Sequence, residues 1–466
     1  MICAIQLNVP VENIAAAGYG LTSRGKGYQS MLMLHISDIH FKSPDCLNEK
    51  QDPDHPIRTR MMRDLNSQLG ALGEVGAILI GGDIAFKAAP EEYQAARLWI
   101  EQLCEISGCP KERVFVVPGN HDVDRGLIGK TVQIQNVQHA IASAPLERRE
   151  RKLTQQLRDE ASGQLLLQAH SAYNEFAAPY GCQIWPEKPF WHQDIGLQAG
   201  VNLRLYGLTS TLLSGCEGND DKRGDLYLSP IQTVLDPVPN TVNLVLCHHP
   251  VDWLADGDAV EDTLNARAAL QVFGHKHKQR LVMDPSYVRF AAAAINPSRN
   301  EQPYQPGYNL IRLGVEGAGT ERYVKVEVHQ RRLQDNPERF TAIETNQGEK
   351  FFTSRIHLPE ELELTRLVSE PDSVRPVVVQ MSADPSHAES SEDAEATMGE
   401  EATRDLLYRF WNLSSSQRRE IVTLLDLLKE GEMTLPEPER YGRALIRAAE
   451  MKIMDRVAAE IAKREV

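Results

Sequence analysis

Residues 32–40 read LMLHISDIH, an apolar run that stops at a serine and is followed by Asp38-x-His40. Short Val/Ile/Leu stretches bounded by Gly, Pro or polar residues fit a strand buried on both faces better than a helix. The pattern returns four times: AILIGG leads to Asp83, VFVVPG to Asn120, VNLVLC to His248 and LQVFG to His275-x-His277. A polar side chain just past the C-terminal end of each strand falls on one rim of an α/β sheet, where such folds place their sites. Residues far apart in the chain are therefore expected to meet.

The set they form has a chemistry. Hard or borderline divalent cations take carboxylate, amide oxygen and imidazole, and two of them about 3.5 to 4 Å apart clamp the attacking and leaving oxygens of an in-line phosphoryl displacement. An aspartate suits the bridging position, each of its oxygens donating to one ion. One ion would turn water into hydroxide at neutral pH while the other holds a phosphoryl oxygen. A nitrogen and oxygen ligand set without thiolate points to two divalent metal ions, Mn²⁺ first, with Fe, Zn²⁺ and Mg²⁺ as alternatives. His121, next to Asn120, is placed to face the leaving group or a phosphoryl oxygen, with Asp122 to orient it. Taken singly, Asp38 or His40 after a strand reads as a turn or cap residue; the ordered set carries the argument. His249 competes with His248 for the ligand role, and His35 reads as a packing histidine.

SDIH (37–40), GGD (81–83), GNHD (119–122), HHP (248–250) and GHKH (274–277) resemble the five signature blocks of the calcineurin-like metallophosphoesterase superfamily, over about residues 31–330. The resemblance implies that Asp38, His40, Asp83 and His277 hold one metal, that Asp83, Asn120, His248 and His275 hold the second, and that His121 is the catalytic histidine. It also implies an α/β fold, an αββα sandwich of two mixed sheets with the dinuclear site on one edge. GNHD and HHP look more like the phosphodiesterase and nuclease branches than the phosphoprotein phosphatases, so a nucleotide or nucleic acid diester is the expected substrate. Nucleotide diesterases often continue HHP with a second proline, whereas Val251, Asp252 and Trp253 follow here. That departure counts against a cyclic nucleotide. The alternative is a housekeeping cyclic-nucleotide phosphodiesterase or phosphomonoesterase whose helical tail only dimerises.

A chain of 466 residues exceeds what one hydrophobic core serves, so two domains are expected. Hydrophobic content of 42% and charged content of 25% are ordinary for a soluble globular protein. No apolar stretch is long enough to span a membrane, and Asn8, Pro10, Glu12 and Asn13 interrupt any signal core, which points to the cytoplasm. A net charge of −15 argues against binding nucleic acid by broad attraction, although bound dications would supply local positive charge to a nuclease. The cysteines (Cys3, Cys46, Cys104, Cys109, Cys182, Cys216, Cys247) show no CxxC pairing and read as reduced structural thiols.

Residues 1–30 form an N-terminal extension, and 31–368 the metallophosphoesterase domain. An insertion at 126–200, expected to be helical across 146–176, reads as a cap over the metal rim or as a solvated hairpin. Its aromatics Trp185, Phe190 and Trp191 read as packing or as a nucleobase platform. Residues 201–206 read as a core strand and Ser229–Val234 as the start of a helix. Runs at 288–296, 308–315 and 323–330 read as closing strands of the second sheet, with 351–358 as one more. Residues 369–402 read as a disordered acidic linker, since 382–402 hold seven acidic residues and no Lys or Arg.

Helical periodicity returns at 403–466. DLLYRFW (405–411) comes first, then a capping box at Ser414 and Gln417 before a face of Ile421, Leu424, Leu425 and Leu428. A second long helix is expected from about Tyr441 to Lys463. This module resembles the death-like effector-associated adaptor domains of bacterial conflict systems, which implies a protein partner and an effector role in anti-phage defence. A generic helical bundle that makes a homo-oligomer is the other reading.

Overall fold

Three of the apolar runs form adjacent parallel strands, β1 (Met31–Ile36), β2 (Val75–Ile80) and β3 (Val114–Val116). Parallel neighbours need crossovers, and α1 (His55–Leu72) and α2 (Pro90–Ser107) supply them. Each helix has a proline in its first turn and stops at a glycine with positive φ, Gly73 at 83° and Gly108 at 71°. The computed structural model describes residues 30–235 and 238–358 and, in the C-terminal part, residues 406, 409, 410, 413, 415–429 and 437–464.

After β3 comes the insertion, α3 (Arg125–Lys130), α4 (Val132–Ala142), α5 (Leu146–Arg158), α6 (Glu160–Gln168) and α7 (Ser171–Ala177). The stretch 146–176 is helical as expected, divided into three helices. Asp159 makes the first break, because its carboxylate accepts the Ser162 N–H at 2.8 Å and caps α6. Trp191 is core: it stacks on Phe115 with centroids 5.9 Å apart, donates to the Val116 carbonyl and covers Gly207, where a Cβ would collide with the indole. Trp185, by contrast, is exposed, so the three aromatics form no common platform.

The second sheet holds β4 (Trp191–Gly196), β5 (Asn202–Leu208), β6 (Thr241–Cys247), β7 (Leu270–Phe273), β8 (Arg280–Met283) and β9 (Val288–Ala291) in the order β4-β5-β6-β7-β9-β8. Its inner strands β5, β6, β7 and β9 are parallel, and α8 (Gly257–Arg267) joins β6 to β7. Ser229–Val234 makes only one tight turn, at Pro230–Thr233. There the Gln232 side chain is bonded to the Thr209 backbone through both its oxygen and its nitrogen, which pins the turn.

The runs at 308–315 and 323–330 do not close the second sheet. They become β10 (Gly307–Glu316) and β11 (Tyr323–Asp335) and return to the first, β10 pairing antiparallel along the open edge of β1. With β12 (Glu338–Ala342) and β13 (Phe352–His357), both on β11, the first sheet reads β12-β11-β10-β1-β2-β3. Leu34 and Ile78 from this sheet and Leu205, Leu244, Val272 and Phe290 from the other lie in one fully buried cluster. The fold is the two-sheet calcineurin-like sandwich, with apolar faces inward, each such side chain worth about 1.5 to 3 kcal/mol of burial.

The C-terminal unit is separate. In it α9 (Ser415–Leu424), α10 (Glu437–Glu450) and α11 (Met454–Ala462) surround buried Phe410, Ile421, Tyr441, Ala444, Val457 and Ile461. The long helix expected from Tyr441 to Lys463 breaks after α10, where Lys452 is left-handed at φ 55°. Gln417 donates to the Arg464 carbonyl at 3.1 Å. Ser414, residues 1–29 of the N-terminal extension and the acidic linker lie outside the described residues. No described helix is long and apolar enough to cross a membrane, and the six described cysteines are unpaired.

Candidate metal centre

All seven ligand-type residues named from the sequence lie just past the C-terminal ends of β1, β2, β3, β6 and β7, Asn120 at the start of a 3-10 turn and the others on loops. The loops lock together through the backbone. Asp38 N–H donates to the Gly82 carbonyl, and both Ile39 and His40 donate to the Asp83 carbonyl. Two glycines permit the approach. At Gly82, with φ at 92°, a Cβ would lie 2.7 Å from His248 Nδ1, and at Gly119 it would strike the Asp83 carboxylate. The second sheet is tied in by His275 N–H, which donates to Asp38 Oδ2 at 3.1 Å.

Two sets of side chains converge, with Asp83 between them. On one side His40 Nε2 lies 3.8 Å from Asp83 Oδ2, and His277 Nε2 lies 3.2 Å from Asp38 Oδ1. On the other, His248 Nε2 is 3.4 Å from the same Asp83 Oδ2 and 3.1 Å from Asn120 Oδ1, which is 3.0 Å from His275 Nδ1. Asp83 Oδ1 accepts the His121 N–H at 2.8 Å. Of the two oxygens of Asp83, Oδ2 faces both sets, while Oδ1 accepts the backbone N–H of His121.

These residues fit a pair of cations. His248 Nδ1 faces the Gly81 carbonyl at 2.7 Å and must carry the proton there, which leaves Nε2 as a lone pair in the neutral ring. That lone pair meets Asn120 Oδ1, Asp83 Oδ2 and, at 3.3 Å, His275 Nδ1. Acceptors this close repel unless positive charge stands among them. Asp38 and Asp83 are buried, and their ionic partners among the described residues are histidines. Burial works against the charge on both carboxyls, yet the imidazoles hold each below the usual carboxylate range, His277 acting most on Asp38 and His248 on Asp83. Burial likewise lowers His248 and His277, but the carboxylates lift them to about 9 and about 10. His40 and His275, pushed down mainly by burial, sit at about 4 and about 3. The pocket demands positive charge, a demand that dications would meet on binding by displacing protons.

His121 stacks on Phe86 with centroids 5.0 Å apart, and its Nδ1 is 2.8 Å from the Phe86 carbonyl. Asp122 does not orient it. Its carboxylate accepts the N–H groups of Ile84, Ala85 and Gly119 and the Tyr93 hydroxyl, so it stitches the β2 and β3 loops together. Burial, with Asp83 nearby, pushes the Asp122 carboxyl up to about 6 against those bonds. Of the His248–His249 pair, it is His248 that reaches Asp83 and Asn120; His249 lies behind it with Nδ1 2.8 Å from Ser210 Oγ. His35 is buried and bonded to Asn309.

Three residues escaped the sequence reading. The Phe86 carbonyl aims His121, the Trp253 ring meets His275 edge-on at 4.0 Å, and Glu301 Oε1 lies 2.8 Å from His277 Nδ1. Only Trp253 had left a signal, as part of the Val251-Asp252-Trp253 run that follows HHP where a second proline often comes.

The model of the calcineurin-like phosphoesterase family matches residues 31–279, and that of the GTPase-associated adaptor domain matches residues 402–463, in line with the adaptor reading of the tail. A glycerophosphodiester phosphodiesterase, GpdQ of Enterobacter lignolyticus (strain SCF1), is 37% identical over 93 residues, 20% of this chain. The match spans 30% of that relative's length. Solved structures that align include vacuolar protein sorting 29 from Cryptosporidium parvum (14% identity, TM-score 0.30, 71% of this chain and 100% of that one). GAP50, the anchor in the inner membrane complex of Plasmodium, aligns at 8% identity and TM-score 0.33, over 71% and 90% of the two chains. The first family match extends over more than half of the sequence, and the chain belongs to the calcineurin-like phosphoesterase family.

Proposed function

We propose that the protein is a dinuclear-metal phosphodiesterase acting on nucleotides or nucleic acid, brought to its target by the C-terminal adaptor domain. Asp38, His40, Asp83 and His277 hold one ion in this reading, and Asp83, Asn120, His248 and His275 the other, Mn²⁺ being the first choice for the donor set. The observation that carries it is Asp83 Oδ2, facing His40 Nε2 at 3.8 Å and His248 Nε2 at 3.4 Å. When bound, the two ions supply Lewis acidity toward the phosphoryl group and lower the pKa of water. His121, with Nδ1 committed to the Phe86 carbonyl, has Nε2 as the atom that gains and loses a proton, and gives it to the departing oxygen of a diester.

A polyanionic substrate has support from α5. Arg148, Arg151 and Arg158 are exposed along it, and no carboxylate among the described residues pairs with them. Arg149 of the same helix lines a cavity of ≈ 620 Å³ together with Asp221, whose carboxylate is 3.9 Å from His249. A second reading, a small-molecule diesterase, is favoured by the match to the glycerophosphodiester phosphodiesterase. Purified protein with Mn²⁺ is to be offered bis-p-nitrophenyl phosphate, p-nitrophenyl phosphate, glycerophosphodiesters, cyclic nucleotides, and single- and double-stranded DNA and RNA. Cleavage of nucleic acid upholds the first reading, and cleavage of glycerophosphodiesters alone the second. Strong preference for the monoester overturns both. The adaptor domain implies a protein partner, and recruitment in anti-phage defence is the proposed setting.

A further inference from the structure

Past the family match, which ends at residue 279, the chain crosses the metal rim again. After β9 it leaves the second sheet and runs along the Asp38 loop: Ile295 N–H donates to the Ser37 carbonyl at 3.0 Å, Asn296 N–H to the Asp38 carbonyl at 3.2 Å, and the Asn296 amide to the Ile39 carbonyl. A turn then closes on itself. Glu301 N–H donates to the Ser298 carbonyl, Ser298 N–H donates to Glu301 Oε1 at 2.9 Å, and Arg299 anchors the turn on the Pro53 carbonyl. The strap thus holds one carboxylate oxygen in place. That oxygen, Oε1, lies 2.8 Å from His277 Nδ1.

We infer that Glu301 is the positioning residue for His277, fixing its ring and tautomer so that Nε2 is presented to a metal ion beside Asp38. A carboxylate can only accept, so Nδ1 carries the hydrogen, and in the neutral ring that a metal would bind the lone pair is at Nε2, 3.2 Å from Asp38 Oδ1. His277 needs such a tether. Its backbone is left-handed at φ 53°, and apart from Glu301 its ring meets Asp38 at the Nε2 end that faces the proposed ion and His40 edge-on at 5.6 Å, so Glu301 is the group that holds it from behind. A carboxylate behind a ligating imidazole also raises its basicity, and losing such a partner costs about 10 to 100-fold in metal affinity. The inference rests on the metal-centre reading above.

Full-length protein, stripped of metal, is to be titrated with Mn²⁺ by calorimetry as wild type, Glu301→Gln and Glu301→Ala, with electron paramagnetic resonance of each loaded sample. Gln keeps the shape and one acceptor oxygen but not the charge. One of the two ions is expected to bind about tenfold more weakly in Glu301→Gln and up to about 100-fold more weakly in Glu301→Ala. The spin-coupled pair signal should give way to that of mononuclear Mn²⁺, a change that loosened packing alone would not produce. Wild-type affinity for both ions in Glu301→Gln and Glu301→Ala overturns the role of Glu301 and leaves the metal centre standing. A wild-type protein that takes up no Mn²⁺, Zn²⁺ or Fe overturns the metal centre itself, and this inference with it.

Discussion

Five residues at the rim, Asp38, His40, Asp83, His275 and His277, have φ between 51° and 68°. A left-handed conformation costs a non-glycine residue about 1 kcal/mol or more, so each loop is held there by its neighbours. Asp83 carries the most, since its carboxylate faces both halves of the proposed centre. Asp83→Asn is expected to remove activity and at least one metal, whereas His121→Ala should keep both ions and slow turnover by about 10² to 10⁴-fold. An Asp83→Asn protein with two ions and near-normal turnover would falsify the shared-oxygen assignment. Away from the rim, His170 is fully buried beside Thr211, and burial lowers it to about 4. The unfolded chain, with an ordinary histidine near 6.5, then binds the extra proton as pH falls through the window from about 6.5 to 4. Stability therefore drops on acidification, by about 2 kcal/mol at pH 5. Urea melts of wild type and His170→Gln at pH 7 and pH 5 check this: the variant should lose less, and an equal loss refutes it. The polar residues ending each strand were legible because an apolar run stops abruptly at them. The partner of His121 was not, because a backbone carbonyl belongs to no residue type and Asp122 offered a more visible acceptor.

Helix α5 illustrates what one element's pattern does and does not disclose. Its heptad-like spacing puts Arg148, Arg151 and Arg158 on the outer face, while Glu150 on the inner face accepts from the hydroxyls of Tyr227 and Ser229. If the outer face contacts a phosphate backbone, Arg148→Glu with Arg151→Glu and Arg158→Glu should weaken oligonucleotide binding steeply at low salt and flatten its salt dependence. Hydrolysis of bis-p-nitrophenyl phosphate should not change. Oligonucleotide affinity equal to wild type in this triple variant refutes the contact. The sequence shows that α5 is helical but not that it stops at Asp159, since a mid-run aspartate becomes a cap only when the chain turns there. Strands β10 and β11 pose the complementary problem. Alternating valines mark the buried face of β11, yet alternation says nothing about which edge a strand joins, and the open side of β1 was visible only in three dimensions.

At the scale of the whole chain, the adaptor domain at 402–463 is a separate unit from the sandwich. Deleting residues 403–466 should leave hydrolysis of bis-p-nitrophenyl phosphate nearly intact and abolish capture of a partner bearing a similar helical domain. A folded truncation that loses hydrolysis, or a partner that still binds it, defeats the arrangement. Both domains were legible because each has its own periodicity, whereas the described residues do not include the stretch between them. The proposed ions draw their ligands from both layers of the sandwich, Asp38, Asp83 and Asn120 following strands of the first sheet and His248, His275 and His277 following strands of the second. Metal binding is then a fastening across the two sheets as well as a means of hydrolysis. At a free concentration of 100 times Kd it adds about 2.7 kcal/mol to the unfolding free energy. Chelator should lower the melting temperature and Mn²⁺ restore it; a melting temperature indifferent to both would count against the fastening. In a metal-starved cell the same coupling would shorten the protein's lifetime, because stripped molecules open more often and meet proteases first.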